Sequence, residues 1–338
     1  MVNNKIFTFL YGDDIPKKAW GEFVKNHPQG TVFQTPEMYC FYAHSNHSNP
    51  LAIALCNSKK EILAVMVAVI ITNGAAVLRP ITARSIIIGG PLVSSMKDEQ
   101  EILLELFDEY RRILPKYVIY SEIRPVYNMD LQIVERLGFV REGHYNMSMD
   151  IQLDKEQLWN RMHKERRKNV NKAKNKGLTY KEIFDDAEVE KAVGLIKKTY
   201  GRKRVPTSNV EVFQKWRQVL NGYLRFYAVF YQDEMVSCQA RLCYKELAYA
   251  WYTGSDERYH SFKPNDFLTW NDICEAHDKG FQTYDIGGGG KPGVPYGVRD
   301  YKLKFGFEMY DYGRYLCVHK KLLYFLGVQG MNLIKSKK

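Results

Sequence analysis

An internal repeat constrains the fold of this chain more strongly than any other feature of its sequence. An apolar strand, a polar turn and a second apolar strand occur around Asn57–Glu61 and recur around Gln232–Glu234, where Glu61 aligns with Asp233 at an offset of 172 residues. Two later landmarks repeat at similar offsets, namely Tyr120 with Tyr284 and Leu137-Gly138-Phe139 with Phe305-Gly306-Phe307. Three landmarks in the same order predict two tandem copies of one structural unit.

The order of elements within each copy indicates the fold class. Each copy contains a helix, a hairpin, a strand, a helix, a strand, a helix and a strand. We therefore predict an α/β fold of two tandem units, each a mixed central sheet flanked by helices. The expected boundaries are 1–152 for the first unit, 153–320 for a second unit that opens with a basic helix, and 321–338 for a basic and apolar tail.

Composition argues against several other classes of protein. Of the 338 residues, 45% are hydrophobic and 26% are charged, as in ordinary globular domains. The longest apolar run, Ile62–Ile71, is about half as long as a membrane-spanning helix. The six cysteines form no CxxC pair, the eight histidines are scattered, and Met1–Lys5 lacks the layout of a signal peptide. We expect a cytoplasmic protein with no metal site and no permanently bound cofactor.

The positive charge is concentrated at the start of the second copy. Between Lys155 and Lys181, ten Lys or Arg residues stand against two acidic residues, within a net charge of +11 for the whole chain. A helix over 158–177 would place four cations on one face, at a spacing of three, four and four residues: Arg161, Lys164, Lys168 and Lys172. The pattern predicts a phosphate-binding face that uses Arg161, Lys164, Arg166 and Lys168. The alternative is an ordinary solvated helix face.

A glycine-rich segment follows the apolar strand Tyr284–Ile286. The eleven residues 287–297 contain six glycines and two prolines. Glycines allow backbone N–H groups to turn toward an anion or a developing oxyanion, which makes Gly287, Gly288 and Gly289 candidate binding residues. The spacing differs from that of a Walker loop or a dinucleotide-binding motif, and a mobile surface loop is the alternative.

A short helix is predicted directly after this loop. Val298, Tyr301 and Phe305 would share its apolar face, whereas Arg299 and Lys302 would share another face within one turn of the loop. A strand with alternating polarity would also fit the segment. The aligned segment of the first copy is helical, and this alignment favours the helix.

With these motifs in hand, the chain resembles the Fem-type and related double-acyltransferase family. The resemblance covers most of the chain, although Tyr301 stands where the family usually has Phe and no long coiled-coil arm is evident. Ser261–Asn265 also replaces the glycine-rich turn that holds the pyrophosphate of acetyl-CoA in related enzymes. The motifs that carry the resemblance are Trp20, Gly30–Pro36, Gly89–Val93, Leu158-Trp159, Arg166–Ala173, Tyr284–Gly288 and Tyr296–Gly306.

The resemblance implies two GNAT-like (acetyltransferase) units and an amide-forming N-acyltransferase. The donor would be acyl-CoA or aminoacyl-tRNA, and the acceptor an amine on a cell-envelope or sugar precursor. Lys302 would neutralise donor phosphate or developing charge, Asp285 or Tyr296 would manage the amine proton, and Arg299 would contribute to donor binding. A noncatalytic module that binds tRNA or a phosphate-bearing envelope precursor is the alternative.

The tail presents two alternatives. Nine of the twenty residues 319–338 are large and apolar, and lysines flank them at both ends. Such a segment can lie on an anionic membrane, which would place the protein at the inner membrane face through a peripheral contact. It can also form a terminal helix that packs its apolar face on the second copy.

Overall fold

The computed structural model describes residues 7–45, 48–72, 79–94, 98–129, 132–202, 217–220 and 222–336. These residues divide into two compact units. Unit 1 comprises Met1–Gly143 together with Tyr312–Lys338, and unit 2 comprises His144–Asp311. None of the helices in the described part of the chain is both long enough and apolar enough to cross a bilayer.

Unit 1 is a mixed sheet with helices packed against it. Its strands are β1 (Thr8–Tyr11), β2 (Ser48–Cys56), β3 (Ile62–Ile71), β4 (Arg84–Ile88), β5 (Leu92–Val93), β6 (Tyr120–Arg124), β7 (Val140–Glu142) and β15 (Arg314–Val318). Its helices are α1 (Lys17–Asn26), α2 (Pro36–Ala43), α3 (Arg79–Thr82), α4 (Glu99–Ile113), α5 (Gln132–Glu135) and α11 (Lys321–Ser336). The strand order is β1-β2-β3-β4-β6-β15-β7, with β5 paired to β3 and only the β4–β6 pair parallel.

The core of unit 1 follows from two apolar patterns in its sequence. Strand β3 is a continuous apolar run, and its central residues are buried. This pattern is usual for a strand that is covered on both faces. Helix α4 buries an apolar face that includes Leu106 and Phe107. The Tyr110 hydroxyl of the same helix lies 2.7 Å from Ser85 Oγ and 2.6 Å from Ser121 Oγ, which fixes α4 to β4 and β6.

Unit 2 has the same architecture. Its strands are β8 (Tyr145–Asp150), β9 (Leu178–Ile183), β10 (Leu224–Tyr231), β11 (Glu234–Tyr244), β12 (Leu247–Ser255), β13 (Thr283–Gly290) and β14 (Glu308–Asp311). Its helices are α6 (Lys155–Arg161), α7 (Lys164–Asn175), α8 (Asp186–Arg202), α9 (Pro264–Asp278) and α10 (Gly297–Leu303). The strand order is β14-β8-β13-β12-β11-β10-β9, and only β12 and β13 are parallel.

Helices cover both faces of the sheet in unit 2. The side chains of Gln239 and Arg241 on β11 bond to Asp272 of α9. Cys238, which points to the opposite face, donates through its thiol to the carbonyl oxygen of Ala192 in α8. The predicted α/β fold, with a mixed sheet and flanking helices in each unit, is confirmed.

The two units exchange one strand each relative to the order of the sequence. Strand β8 follows β7 in the chain but lies between β13 and β14 of unit 2, and β15 follows β14 but lies between β6 and β7 of unit 1. The units therefore differ from the contiguous ranges 1–152 and 153–320 that the repeat predicted. The two exchanged strands occupy equivalent places, so a periodic pattern in the sequence cannot distinguish their sheets.

The predicted tail 321–338 forms helix α11 over Lys321–Ser336 and belongs to unit 1. Its Tyr324 ring packs edge-on against Tyr120, with 5.3 Å between the ring centroids. The alternative in which the tail packs on the second copy is therefore wrong.

Candidate active site

A gap between two parallel strands of unit 2 defines the candidate site. The pairing of β12 with β13 ends at Tyr249 and Asp285. Strand β12 continues to Ser255 beside β11, and β13 continues to Gly290 beside β8. The two strands therefore diverge beyond Tyr249 and Asp285, and we call the opening the β12–β13 gap.

Unit 1 does not repeat this feature in the strands that the structure describes. Its parallel pair, β4 and β6, stays in register from Arg84 opposite Tyr120 to Ile88 opposite Arg124, which is the full length of both strands. A closed pair of strands offers no opening for a substrate. The gap therefore places the candidate site in unit 2.

A buried lysine lies at the start of the gap. The Lys302 side chain projects from α10, and its Nζ donates to the carbonyl oxygens of Ile286 at 2.6 Å and Gly288 at 2.8 Å. Lys302 is only 7% exposed, although the sequence places it on a different helix face from the apolar residues Val298, Tyr301 and Phe305. An ammonium group has three N–H donors, so these two bonds to described residues leave one for a ligand oxygen.

Asp285 is the ionisable partner of Lys302. Its carboxylate accepts a hydrogen bond from the backbone N–H of Gly287 at 2.6 Å, and the residue is 3% exposed. Burial raises the pKa of Asp285 to about 6, although the Gly287 N–H and the Lys302 charge oppose the rise. Burial also lowers the pKa of Lys302 to about 8, and the Asp285 charge opposes that fall. Near pH 7 the site therefore holds an ionised carboxylate and a protonated amine that loses its proton easily.

The first four glycines of the predicted loop form the end of β13, and the loop itself is confined to residues 291–296. Strand β13 extends through Gly290 and pairs with β8, with irregular register around Gly288. Gly287 and Gly290 adopt φ values of +79° and +80°, which other residues rarely adopt. The irregular register turns the backbone of β13 away from β12 and so helps to open the gap.

Arg299 stabilises the segment between β13 and α10. Its guanidinium donates to the carbonyl oxygens of Gly289 at 3.3 Å, Lys291 at 3.1 Å and Val294 at 2.5 Å. The structure thus gives Arg299 a role in shaping the segment, in addition to the donor contact that the sequence predicted. Tyr296 directly precedes α10, packs its ring on Gly290 and is 41% exposed.

The basic segment forms two helices rather than one. Met162 is buried, and His163 caps α7 by accepting through Nδ1 from the N–H of Glu165 at 3.3 Å. Because the chain is extended at Met162 and His163, Arg161 belongs to α6 and lies 4.0 Å from Glu308. The row of cations on α7 therefore consists of the exposed residues Lys164, Lys168 and Lys172.

Arg166, predicted to bind phosphate, connects two helices of unit 2. Its Nη1 donates to Asp266 Oδ1 at 2.7 Å, and its guanidinium lies 4.9 Å from the centre of the Tyr301 ring. Asn169 donates to the same carboxylate oxygen at 3.2 Å. These contacts join α7 to the first turn of α9.

A buried polar cluster beneath the site was missed by the sequence analysis. The fully buried Arg241 donates to Asp272 Oδ1 at 2.9 Å and also to Glu275. Asp272 additionally accepts from three side chains around it: Gln239, Tyr180 and Tyr284. Tyr284 immediately precedes Asp285, so the cluster anchors the start of β13 to α9. Two features of the sequence could have indicated this cluster. Arg241 is a charged residue in the apolar strand β11, and Asp272 lies on the apolar face of α9.

The described residues contain no group of His, Cys, Asp or Glu side chains arranged to hold a metal ion. Two groups among the described residues of unit 2 are suited to anions, namely the Lys302 ammonium at the gap and the lysine row of α7.

Comparisons with known proteins agree with this architecture. Residues 163–303 match the acetyltransferase (GNAT) domain family. The chain is similar in structure to FemX, with a TM-score of 0.71 and 17% identity over 94% of this chain and 99% of that one. It is also similar to a tandem GNAT protein from the clavulanic acid biosynthesis pathway, with a TM-score of 0.57 and 10% identity over 93% and 98% of the two chains. A third similar structure is L-PGS from Bacillus licheniformis, with a TM-score of 0.58 and 12% identity over 90% and 92%.

No curated protein sequence matches the chain significantly. The segment that matches the acetyltransferase (GNAT) domain contains both Lys302 and Asp285. Over nearly its whole length, the chain shares the fold of FemX and of the tandem GNAT protein.

Proposed function

We propose that this chain transfers an acyl or aminoacyl group from an activated ester or thioester to an amine on a cell-envelope or sugar precursor. The observation that carries the proposal is the buried Lys302 ammonium at the β12–β13 gap. A donor carbonyl in the gap would place its oxygen near the remaining N–H of Lys302. The donor is a substrate in this proposal, and no resident cofactor takes part.

The chemistry requires little beyond positioning and charge stabilisation. The amine nitrogen forms a bond to the carbonyl carbon, and the oxygen becomes an oxyanion that the Lys302 ammonium stabilises. The C–O or C–S bond to the leaving group then breaks, and the proton lost by the amine ends on that leaving group. Asp285 is a positioning residue in this scheme, because its carboxylate bonds to Gly287 and keeps Lys302 charged.

Two features favour aminoacyl-tRNA over acyl-CoA as the donor. Lys164, Lys168 and Lys172 form a row about 12 Å long on α7, which suits several successive phosphates. The N-terminus of α9, where the related enzymes hold a pyrophosphate, carries the Asp266 carboxylate in its first turn. Asp266 already accepts from Arg166 and Asn169, so these two side chains are engaged with a carboxylate of the protein rather than available to a pyrophosphate.

The acceptor is proposed from the Fem-type resemblance and from the neighbours in fold. FemX and L-PGS share the double-GNAT architecture with this chain. We therefore assign the acceptor to the amines of cell-envelope precursors, such as the side-chain amine of a precursor peptide.

A donor competition would test this function. The purified protein is incubated with a precursor peptide that carries a free lysine amine and with either radiolabelled aminoacyl-tRNAs or labelled acetyl-CoA. We expect label in the peptide from aminoacyl-tRNA. Transfer only from acetyl-CoA would overturn the donor assignment, and binding of tRNA without any transfer would favour the noncatalytic module.

The ionisation of the site predicts a bell-shaped pH dependence of kcat/KM. Activity should fall below about pH 6, where Asp285 becomes protonated, and above about pH 8, where Lys302 loses its charge. In Asp285→Asn the acidic limb should disappear. The basic limb should also move to lower pH, because the carboxylate no longer raises the pKa of Lys302. An unchanged profile in this variant would contradict the coupling between the two groups.

The lysine row predicts a salt-dependent loss of tRNA affinity. The double substitution Lys164→Glu and Lys168→Glu should weaken binding at low salt and reduce the slope of log affinity against log salt concentration by about one per lost contact. Fluorescence anisotropy with labelled deacylated tRNA measures both quantities. The matched control is Lys191→Glu with Lys198→Glu, which reverses two exposed charges on α8. Equal effects of the two double variants would show that tRNA binding depends on the overall charge of the protein and not on the lysine row.

A further inference from the structure

Helix α11 exposes apolar side chains where a surface helix normally exposes polar ones. Leu322, Phe325 and Leu326 are 71%, 57% and 55% exposed, and their spacing of three and four residues places them on one face. The opposite face packs inward, since Leu323, Tyr324 and Val328 are half-buried. This arrangement reverses the usual amphipathic pattern, in which the polar stripe faces water.

A second element extends the exposed apolar surface. Helix α11 packs beside the short helix α3, whose Ile81 is 55% exposed. We call Ile81, Leu322, Phe325 and Leu326 the α11 patch. Single exposed apolar residues are common on proteins, but a cluster from two adjacent elements is typical of a surface that binds something apolar.

The charges around the α11 patch indicate what kind of surface it fits. Lys320 and Lys321 directly precede the patch, and the sequence from Tyr312 to Lys338 contains no Asp or Glu. A second copy of this chain would bring like charges together across the same patch. An anionic lipid surface instead offers an apolar layer for the side chains and a negative layer for the lysines.

We propose that the α11 patch docks the protein on an anionic membrane, with α11 lying in the plane of the headgroups. The proposal does not depend on the transfer reaction. If the reaction also holds, docking would bring unit 1 to a surface where lipid-linked envelope precursors reside.

Vesicle flotation with the full chain tests the proposal. Vesicles of equal parts phosphatidylglycerol and phosphatidylcholine should carry the protein upward, and vesicles of phosphatidylcholine alone should carry much less. Added salt should weaken the binding, because it screens the lysines. Failure of the full chain to float with the anionic vesicles would overturn the proposal.

Two variants separate the apolar and charged contributions. The triple substitution Leu322→Gln, Phe325→Gln and Leu326→Gln keeps good helix formers and should lower the partition coefficient about 100-fold or more. Lys320→Gln with Lys321→Gln should lower it about 25-fold, at about fivefold per lysine. The matched controls are Phe184→Gln, which changes a 65% exposed aromatic of unit 2, and Lys18→Gln with Lys25→Gln on α1.

The results distinguish docking on lipid from self-association. Flotation of the triple variant at the level of the unchanged protein would overturn the proposal. So would light scattering that shows a dimer of the unchanged protein and a monomer of the triple variant, since the patch would then bind a second copy. Unchanged circular dichroism and melting temperature in the variants would show that the loss concerns the surface and not the fold.

Discussion

Replacing Lys302 with methionine is expected to lower kcat for acyl transfer about 100- to 1,000-fold, as does the loss of one oxyanion-stabilising donor in other enzymes. Methionine fills the space of the buried stem but cannot donate to the carbonyl oxygens of Ile286 and Gly288 or to an oxyanion. Because the interaction strengthens in the transition state, kcat should fall more than KM rises. Steady-state kinetics with aminoacyl-tRNA and the precursor peptide measure both.

A matched lysine lies two residues away. Lys304 is half-buried and pairs with Glu165 at 2.6 Å, so Lys304→Met removes an ammonium from the same segment without reaching the gap. We expect nearly unchanged kinetics in this control. Comparable losses of kcat in both variants would show that Lys302 has no specific role in the transfer reaction.

Replacing Arg241 with methionine is expected to lower the free energy of unfolding by about 3–5 kcal/mol. The substitution leaves the fully buried Asp272 without its cationic partner, and Glu275 loses the same partner. Urea denaturation followed by circular dichroism measures the change. The control Arg258→Met removes an arginine that pairs with Asp256 and Glu234 at the surface, and its effect should be much smaller.

The pH dependence of the Arg241 variant provides an independent check. Burial raises the pKa of Asp272, and the Arg241 charge opposes the rise in the unchanged protein. In Arg241→Met the folded-state pKa should rise further above the unfolded value. The destabilisation should therefore be complete above the raised pKa and should shrink as the pH falls through it. A loss of stability that is constant with pH would show that Asp272 is not the source.

The general architecture could be predicted from the sequence because the internal repeat shows two copies of one α/β unit. The two hairpin turns around Glu61 and Asp233 and the strands of Tyr120 and Tyr284 fixed the number of units and their α/β character. Lys302 and Asp285 were named as candidates through a family motif and a glycine-rich neighbour, and the structure places both beside residues 286–288. Local patterns of this kind depend on residues that are close in the chain.

Features that depend on tertiary contacts were not accessible. The burial of Lys302 depends on the bend of β13, and the split between α6 and α7 depends on the burial of Met162. The sequence analysis predicted that Arg166 binds an anion of the donor. In the structure Arg166 donates instead to Asp266, which lies one hundred residues later in the chain. A sequence shows the charge of a side chain, whereas its partner is set by the fold.

The exchange of β8 and β15 has a consequence for how the chain folds during synthesis. Unit 2 is continuous and can complete its sheet once Asp311 has emerged from the ribosome, whereas unit 1 must wait for β15. Its closing contacts join positions as distant as Ser121 and His319, which are 198 residues apart. Until then β6 and β7 present open edges that can pair with other chains. The half that is synthesised first is therefore the half that folds last, and interrupted synthesis would expose its unfinished sheet to aggregation.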